Sequence, residues 1–160
     1  MGTPAVQTRV APVGLNLKDG YQSKITPAAD TDISFWEKGI TPPGFDGGEP
    51  VDNTTMHNST WRTSAPRGLI TATQAAVRAA YDPRILPQIE ALVNVETTWT
   101  ILFPDTSTWS FFGWLQSFSP GEMVEGTQPE ADIVIAIGNT DPADGSEAGP
   151  NAVTAAGTSI

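Results

Sequence analysis

Cysteine is absent from this 160-residue sequence, and its absence excludes disulfides, thiolate metal sites and cysteine nucleophiles. Histidine is almost absent, since His57 is the only one, so any imidazole chemistry would depend on a single residue. Asp52 and Ser59 lie near His57 in the sequence, but a Ser-His-Asp triad is defined by three-dimensional geometry, which sequence proximity does not predict. We therefore expect no enzymatic activity and no cofactor.

Long apolar segments are also missing, because no run of about 18 apolar residues occurs. We therefore expect no membrane insertion by this chain, and its first residues have neither the charged nor the apolar region of a secretory signal. The sequence does contain 15 glycines and 14 prolines, while only 39% of its residues are hydrophobic, below the usual share for globular proteins. This composition predicts one compact, β-rich domain with extended segments.

Positive charge is missing from the second half of the sequence. None of the eight Lys and Arg residues follows Arg84, whereas ten of the eighteen Asp and Glu residues do, and the formal net charge is -10. Binding nucleic acid by phosphate neutralisation requires clustered Lys and Arg, so this chain is not expected to hold nucleic acid in that way. Nucleic acid would be able to move past such a surface without binding to it.

A long connection at residues 41–66 interrupts the periodic segments. Six prolines and glycines between residues 42 and 50 exclude a regular helix or a central strand there. Its aromatic residues argue against disorder, and its acidic residues do not have the ligand spacing of a calcium loop. We predict an ordered segment that completes its folding against another molecule, with a long surface loop as the alternative. The predicted contact set is Phe45, Asp46, Glu49, Val51, Met56, Trp61 and Arg62.

The first half of the chain predicts few regular elements. Residues 1–32 fit either an extended N-terminal arm or a disordered tail, and a short edge strand within residues 15–21 is one option. Residues 33–40 alternate in polarity and predict a strand. Residues 69–81 are equally consistent with a helix, because they are rich in alanine, and with a strand, because their larger side chains recur with a period of two.

The second half predicts one helix and three strands. Asp82 followed by Pro83 is typical of a helix start, and apolar spacing continues this helix to about residue 93. The predicted strands are residues 97–103, 108–118 and 131–137. The middle strand is apolar on both faces, which indicates either a central strand of a sandwich or a face covered by a neighbouring subunit. Gly113 within it indicates a bend or bulge, and residues 142–160 predict a flexible C-terminal tail.

Several short motifs follow one another in a fixed order. They are FWEKGITPPGFDGGE at 35–49, TTMHNSTWRT at 54–63, Pro66-Arg67, Tyr81-Asp-Pro83, Phe103-Pro-Asp105, Phe111-Phe-Gly-Trp114 and Gln128-Pro-Glu-Ala131. Their order and spacing resemble those of tail tube (major tail) proteins of long-tailed, non-contractile bacteriophages. The resemblance spans residues 33–141, which we take as the β domain, and leaves both ends of the chain uncovered.

The resemblance implies a mainly β fold. In this family a small β-sandwich or barrel with one flanking α-helix carries a long stacking loop and extended N- and C-terminal arms, as in the tube protein of type VI secretion. It also implies that the stretch ending at Tyr81 is a strand, and that the long connection reaches toward the adjoining ring. Such subunits form a homo-oligomer of stacked hexameric rings, and DNA passes through the hollow tube only in transit.

The same resemblance implies partners and a location. A tape measure protein occupies the lumen of such a tube, tail terminator and distal tail or baseplate proteins bind its ends, and the virion tail is assembled in the host cytoplasm. A bore that carries DNA is expected to be anionic. We predict that it is lined by carboxylates which no later Lys or Arg offsets, and the candidates are Glu96, Asp105, Glu122, Glu125, Glu130 and Asp132.

Two other functions fit the composition. One is a capsid decoration protein or another virion β-protein, which would have the same acidic, β-rich character. The other is an acidic carbohydrate-binding module that stacks sugars on Trp61 and Trp109.

Overall fold

Eleven β-strands and one short α-helix make up the described part of the chain. The computed structural model describes residue 20 and residues 22–33, 35–104 and 106–153. The strands are β1 Lys24–Pro27, β2 Trp36–Thr41, β3 Phe45–Asp46, β4 Val51–Asp52, β5 Ser64–Ala65, β6 Thr71–Ala72, β7 Ala75–Ala80, β8 Thr97–Leu102, β9 Thr108–Pro120, β10 Glu130–Ile137 and β11 Asn151–Val153. Six of them form an antiparallel sheet in the order β1-β8-β9-β10-β7-β2, and β11 pairs with β9 as its seventh strand.

This sheet curls until its two edge strands meet. The backbone N–H of Ile25 in β1 donates a hydrogen bond of 3.1 Å to the Glu37 Oε1 atom of β2, so a side chain rather than a backbone ladder joins the two edges. This closure satisfies one backbone N–H of the β1 edge, whereas β1 and β2 form no backbone ladder with each other. The prediction of a mainly β fold, a small sandwich or barrel with one flanking helix, is confirmed.

The hydrophobic core lies on the inner face of the curled sheet. Side chains of a strand alternate between its two faces, and the directly paired Trp99 of β8 and Phe111 of β9 both point inward and are almost fully buried. On the opposite face of β9, Phe112 and Trp114 are only half-buried. The prediction that β9 is apolar on both faces is therefore confirmed. Within the chain, however, only the inner face is fully covered.

Strand β7 shows that the segment at residues 69–81, which the sequence left open between helix and strand, forms a strand. Ala75, Val77 and Ala79 are buried, whereas Ala76 and Arg78 between them are exposed. This period of two places small side chains against the core, between the larger side chains of neighbouring strands. Burial on one face of the sheet thus outweighs the helix propensity of alanine, and the strand implied by the resemblance is what forms.

The helix begins where the sequence predicts it. Residues Pro83–Ile85 form a 3-10 turn that leads into α1, Leu86–Leu92, and the Asp82 Oδ1 atom accepts a hydrogen bond of 3.0 Å from the Arg84 backbone N–H. Only Ile89 and Leu92 of the predicted apolar stripe are buried, while Leu86 and Val93 remain more than a third exposed. The stripe is narrower than predicted, and the first turn is 3-10, whose three residues per turn depart from the period of 3.6 on which the prediction rests.

Asp82 makes the stability of the fold depend on pH. Hydrogen bonds from the Arg84 side chain and backbone N–H, with a weaker one from Trp36, lower the pKa of Asp82 to about 2. Because the unfolded chain binds this proton more readily, the stabilisation is fully present above about pH 4 and is lost as the pH falls toward about 2. We expect Asp82→Asn to be less stable than the parent at pH 7 and equally stable near pH 2 in urea unfolding. Glu90→Gln, at an exposed carboxyl of α1, serves as the control, and a difference for Asp82→Asn that does not change with pH would contradict this account.

Both predicted ends of the β domain differ from the structure. Strand β1 lies within residues 1–32 and is paired along its length with β8, so part of the predicted N-terminal arm belongs to the sheet. Strand β11 lies within the predicted flexible tail and continues the line of β10 along β9, after an excursion at residues 138–150. The predicted edge strand within residues 15–21 lies outside the described residues.

A β-bulge occurs in β9, but not at Gly113. The pairing with β10 shifts between Leu115 and Ser117, so the extra residue is Gln116. Gly113 has a different role: a Cβ atom there would overlap the carbonyl oxygen of Ala136 on β10. The prediction of a bulge at Gly113 is therefore wrong, and the glycine is required by the close approach of two backbones.

Gly113→Ala is expected to destabilise the protein by about 2–3 kcal/mol, because β10 must move away from β9 to make room for the methyl group. Urea unfolding followed by tryptophan fluorescence measures the change. Gly39→Ala in β2 is the matched control, since a Cβ atom at that position meets no atom within 4 Å. Equal free energies of unfolding for the two variants would show that β10 can move away from β9 with little loss of stability.

Candidate assembly surface

Residues 42–74 form one long hairpin, called the long hairpin below, that extends β2 and β7. At its base Thr73 N–H donates to Gly44 O at 2.9 Å. Beyond that base β3 pairs with β6, and β4 pairs with β5. The connection at 41–66 is therefore ordered partly by pairing within itself, β4 with β5, and partly by pairing of β3 with β6, which follows it. Its strands are only two residues long because prolines and glycines interrupt the ladder.

The interruption between the two short ladders is bridged by side chains. Gly48 has a φ of +74°, a conformation that glycine adopts readily, and its N–H donates to Asp46 Oδ1 at 2.8 Å. Across the gap, Arg67 Nε donates to the Glu49 carbonyl oxygen at 2.8 Å. These contacts keep the outer half of the long hairpin in line with its inner half. Asp46 and Glu49, predicted as contact residues, thus also hold the hairpin together.

Asn58 organises the end of the long hairpin, residues 53–63, which we call the hairpin tip. Its Oδ1 atom accepts a hydrogen bond of 2.9 Å from Thr55 N–H, and its Nδ2 atom donates to the Trp61 carbonyl oxygen at 3.0 Å. The start of the tip is closed by Asn53 N–H, which donates to the Thr63 carbonyl oxygen at 3.1 Å, and by the Thr54 hydroxyl, which accepts from Thr63 N–H at 3.0 Å. The Asn58 and Thr54 side chains together therefore hold the backbone on either side of Trp61.

Large apolar side chains on the long hairpin are exposed. Met56 is fully exposed, Trp61 is 79% exposed and Leu69 is 83% exposed. Phe45 remains 62% exposed although its ring lies 5.9 Å from that of Trp109 in β9. Val51 and Ile70 are also exposed. Leu69 and Ile70 were missed as contact residues because they were assigned to the ambiguous segment, although two adjacent apolar residues beside Gly68 were the available signal.

The contact set is spread along the long hairpin rather than gathered at one point. Phe45 lies at the base on Trp109, whereas Trp61 lies in the tip. Arg62, next to Trp61, is 87% exposed and reaches only Asp52, at 3.6 Å. Because Trp109 is half-buried under Phe45 and Trp61 is at the other end of the hairpin, the two tryptophans do not form a common stacking surface.

The predicted bore-facing carboxylates occupy three regions. Glu130 and Asp132 lie on the outer face of β10, since Ala131 and Ile133 between and beside them are buried. Glu122 and Glu125 are exposed in the loop that joins β9 to β10. Glu96 is exposed before β8, and Asp105 lies outside the described residues.

Glu130 forms ion pairs with cationic side chains that lie far before it in the sequence. Its Oε1 atom lies 2.7 Å from Lys38 Nζ, and its Oε2 atom lies 3.6 Å from Arg78 Nε. The hydrogen bond from Lys38 and the charge of Arg78 lower the pKa of Glu130. The premise that nothing offsets these acids because no cation follows Arg84 is wrong for Glu130, since strand pairing brings earlier cations to it.

The described ranges contain no group of three or more His, Asp and Glu side chains that would hold a metal ion. Within the same ranges, no helix has the length and hydrophobicity needed to cross a membrane. His57 is exposed in the hairpin tip.

The fold is similar to that of chains in solved particle structures. A chain of the virion of a native gene transfer agent particle matches with a TM-score of 0.55 and 13% sequence identity, over 76% of this chain and 95% of that chain. A chain in the tail of an empty gene transfer agent particle, computed with helical refinement and C6 symmetry, matches with a TM-score of 0.53 at the same identity and coverage. A chain of the anti-feeding prophage baseplate, 6-fold symmetrised, matches with a TM-score of 0.50 and 9% identity, over 72% of this chain and 87% of that chain.

No protein-family model matches the sequence, and no curated protein is similar to it. At 9–13% identity the structural likeness concerns the fold. The tail tube-like fold that the sequence motifs imply is therefore confirmed as a fold, over about three quarters of this chain.

Proposed function

We propose that this chain is a structural subunit of a virion tail, and that it assembles into stacked hexameric rings that form a hollow tube for DNA delivery. The observation that carries the proposal is the combination of this fold with an ordered hairpin that leaves its large apolar side chains uncovered. Single exposed apolar side chains are common on protein surfaces, but six large ones on one hairpin, Phe45, Val51, Met56, Trp61, Leu69 and Ile70, indicate an interaction site. The six-fold symmetry of two of the similar particle structures supports six as the ring number.

In this proposal the long hairpin contacts the adjoining ring. Its contact residues are Phe45, Asp46, Glu49, Val51, Met56, Trp61 and Arg62, to which the exposure of Leu69 and Ile70 adds two more. A hairpin that is already paired with itself loses little conformational entropy on binding, and preorganisation of this kind favours affinity. A contact between different surfaces of identical chains repeats along a stack without closing, as a tube requires.

The sheet supports the proposed ring. Phe112 and Trp114 on the outer face of β9 are only partly covered in the single chain. A neighbouring subunit that covers them would add the apolar contact that a stable ring needs. This extends the sequence expectation that a neighbour covers one face of β9.

In the proposed tube, DNA passes through an anionic bore. The net charge of -10 supports this role, because cationic walls would bind phosphates. We propose that the tube surrounds a tape measure protein, that tail terminator and distal tail or baseplate proteins bind its ends, and that it is assembled in the host cytoplasm. A structural role in a particle requires no enzymatic activity.

Electron microscopy of the purified chain tests the proposed function. Incubation at high protein concentration is expected to give rings or hollow tubes with six-fold symmetry, whose length grows with concentration. Monodisperse monomers or trimers under all conditions would instead favour a decoration protein, and saturable binding to a glycan array would favour a carbohydrate-binding module. Either result would overturn the tube proposal.

Trp61→Ala is expected to weaken assembly by about 2 kcal/mol per contact, the scale of a buried aromatic residue at the centre of an interface. The critical concentration for tube formation, measured by sedimentation, would rise accordingly. Thr60→Ala is the matched control, because Thr60 is next to Trp61 and is also exposed in the hairpin tip. This substitution removes no aromatic ring. If the Trp61 variant assembles like the parent, Trp61 does not contribute to a contact between subunits.

A further inference from the structure

We propose that the hairpin tip binds the loop between β9 and β10 of a second copy of this chain. This loop, residues 121–129, is called the acceptor loop below. The inference rests on the proposed function, and it adds the surface that receives the long hairpin and the ion pair that fixes its position.

The two surfaces lie at opposite ends of the molecule. The long hairpin leaves the sheet beyond the pair Thr41–Ala76. The acceptor loop leaves it beyond the pair Pro120–Ala131, and Ala131 in turn pairs with Ala79 on β7. Because β7 runs from one pair to the other, the loop is at the far end of the same strand. A tip-to-loop contact between copies is therefore head-to-tail and propagates along one axis.

The long hairpin has the reach that such a contact needs. Nine residue steps separate Gly44 at its base from Asn53 at the start of its tip, and an extended chain of that length spans at most about 30 Å. Past the level of Ala75, where β7 begins, β9 continues from Leu115 to Thr108, about 24 Å. A fully extended hairpin therefore brings its tip to the end of the sheet opposite the acceptor loop, and in a coaxial stack this end faces the acceptor loop of the next copy.

The acceptor loop presents an ordered apolar pair between two acids. Met123 is 58% exposed and Val124 is 52% exposed, and the flanking Glu122 and Glu125 are exposed as well. The loop is ordered at its base by Gly121 N–H, which donates to Glu130 O at 2.7 Å, and at its end by a turn in which Thr127 N–H donates to Val124 O at 3.2 Å. None of the four side chains has a hydrogen-bonding or ion-pairing partner among the described residues.

The hairpin tip has the complementary composition. Its exposed Trp61 and Met56 match the apolar pair of the acceptor loop. Its Arg62 matches Glu122 and Glu125, which this inference places in the contact between copies rather than in the bore. Arg62 is the only cation of the tip, and its contact with Asp52 in the same chain is long, at 3.6 Å with both side chains more than half exposed. An exposed pair of this kind contributes little, so Arg62 is available to a carboxylate of another copy.

A charge exchange tests the contact. Arg62→Glu alone, and Glu122→Arg with Glu125→Arg, are each expected to raise the critical concentration for tube formation at least tenfold, because like charges then face each other. The chain with all three substitutions is expected to return to within about threefold of the parent, because opposite charges face each other again. Sedimentation gives the critical concentration, and circular dichroism confirms that every variant is folded.

Two controls separate the contact from general electrostatics. Glu90→Arg with Glu147→Arg makes the same change in net charge at exposed carboxyls outside both surfaces, and is expected to leave the critical concentration unchanged. Asp52→Asn removes the partner of Arg62 within its own chain, and is expected to have no effect or to favour assembly.

The outcomes distinguish this inference from the proposed function. Suppose that the parent forms tubes, but that the effects of the three substitutions on the critical concentration simply add, or that reversing the charges of the acceptor loop has no effect. The hairpin tip then binds elsewhere, and only this inference is overturned. If the parent forms neither rings nor tubes, the proposed function itself is wrong. Recovery of assembly in the triple variant supports both.

Discussion

Removing the long hairpin is expected to leave a folded monomer that forms no tubes. The excision deletes residues 45–72 and joins Gly44 to Thr73 through an inserted Asn-Gly pair. The join is feasible because Thr73 N–H already donates to Gly44 O at 2.9 Å, and two-residue loops of this composition connect paired strands. The deletion removes no residue of the buried core, so urea unfolding should give a stability within about 1 kcal/mol of the parent.

Assembly, by contrast, should fall by at least two orders of magnitude, because every subunit loses its proposed contact with the adjoining ring. A matched control excises the other excursion of the sheet, residues 140–147, and joins Asn139 to Ala148 through the same inserted Asn-Gly pair, because the backbone atoms of these two residues are also hydrogen-bonded, at 2.9 Å. That control is expected to form tubes. Long tubes from the hairpin deletion, observed by electron microscopy, would show that stacking depends on other surfaces.

The sequence predicts the sheet well where one face of a strand is buried. The alternation of Trp99, Ile101 and Phe103 and the apolar run of β10 locate β8 and β10 to within about one residue, because burial of one face dictates a period of two. The same principle predicts the helix start, where Asp82 caps the first turn. Core-facing periodicity and local capping are therefore readable from a single sequence.

The long hairpin was harder to predict, for a physical reason. Its strands are two residues long and are exposed, so they have no buried face and no hydrophobic period. What holds them is side-chain hydrogen bonding across the hairpin, such as that from Arg67 to Glu49, 18 residues apart. The segment is ordered as predicted, but it pairs within its own chain, whereas the sequence predicted that it completes its folding against another molecule. Its pairing partner, residues 64–74, was partly assigned to a different element.

Long-range pairing also explains the error in the electrostatic argument. Lys38 and Glu130 are 92 residues apart in the sequence, and they meet because β7 lies between β2 and β10. The closure of the sheet by Glu37 and the bulge at Gln116 depend in the same way on strand order. Counts of charge along the sequence cannot reveal such contacts before the order of the strands is known.

Reversing charge on the outer face of β10 is expected to block DNA delivery without preventing assembly. Glu130→Lys with Asp132→Lys raises the net charge of each subunit by four and leaves Lys38 and Arg78 without their partner. Both acids are at least partly exposed, and surface ion pairs contribute at most about 1 kcal/mol, so tubes should form normally. If this face lines the bore, each ring then presents cations to the phosphates of passing DNA.

The effect should depend on salt, because contacts between exposed cations and phosphates weaken as ionic strength rises. Particles with the two substitutions are expected to deliver DNA at least tenfold less efficiently than the parent at low salt and to recover at high salt. Glu90→Lys with Glu147→Lys makes the same change in net charge away from this face and should deliver DNA normally. Normal delivery by the Glu130 and Asp132 variant at low salt would show that the outer face of β10 lies outside the bore. An equal loss of delivery in both variants would show that the total charge of the subunit, rather than the charge of a lining surface, controls the passage of DNA.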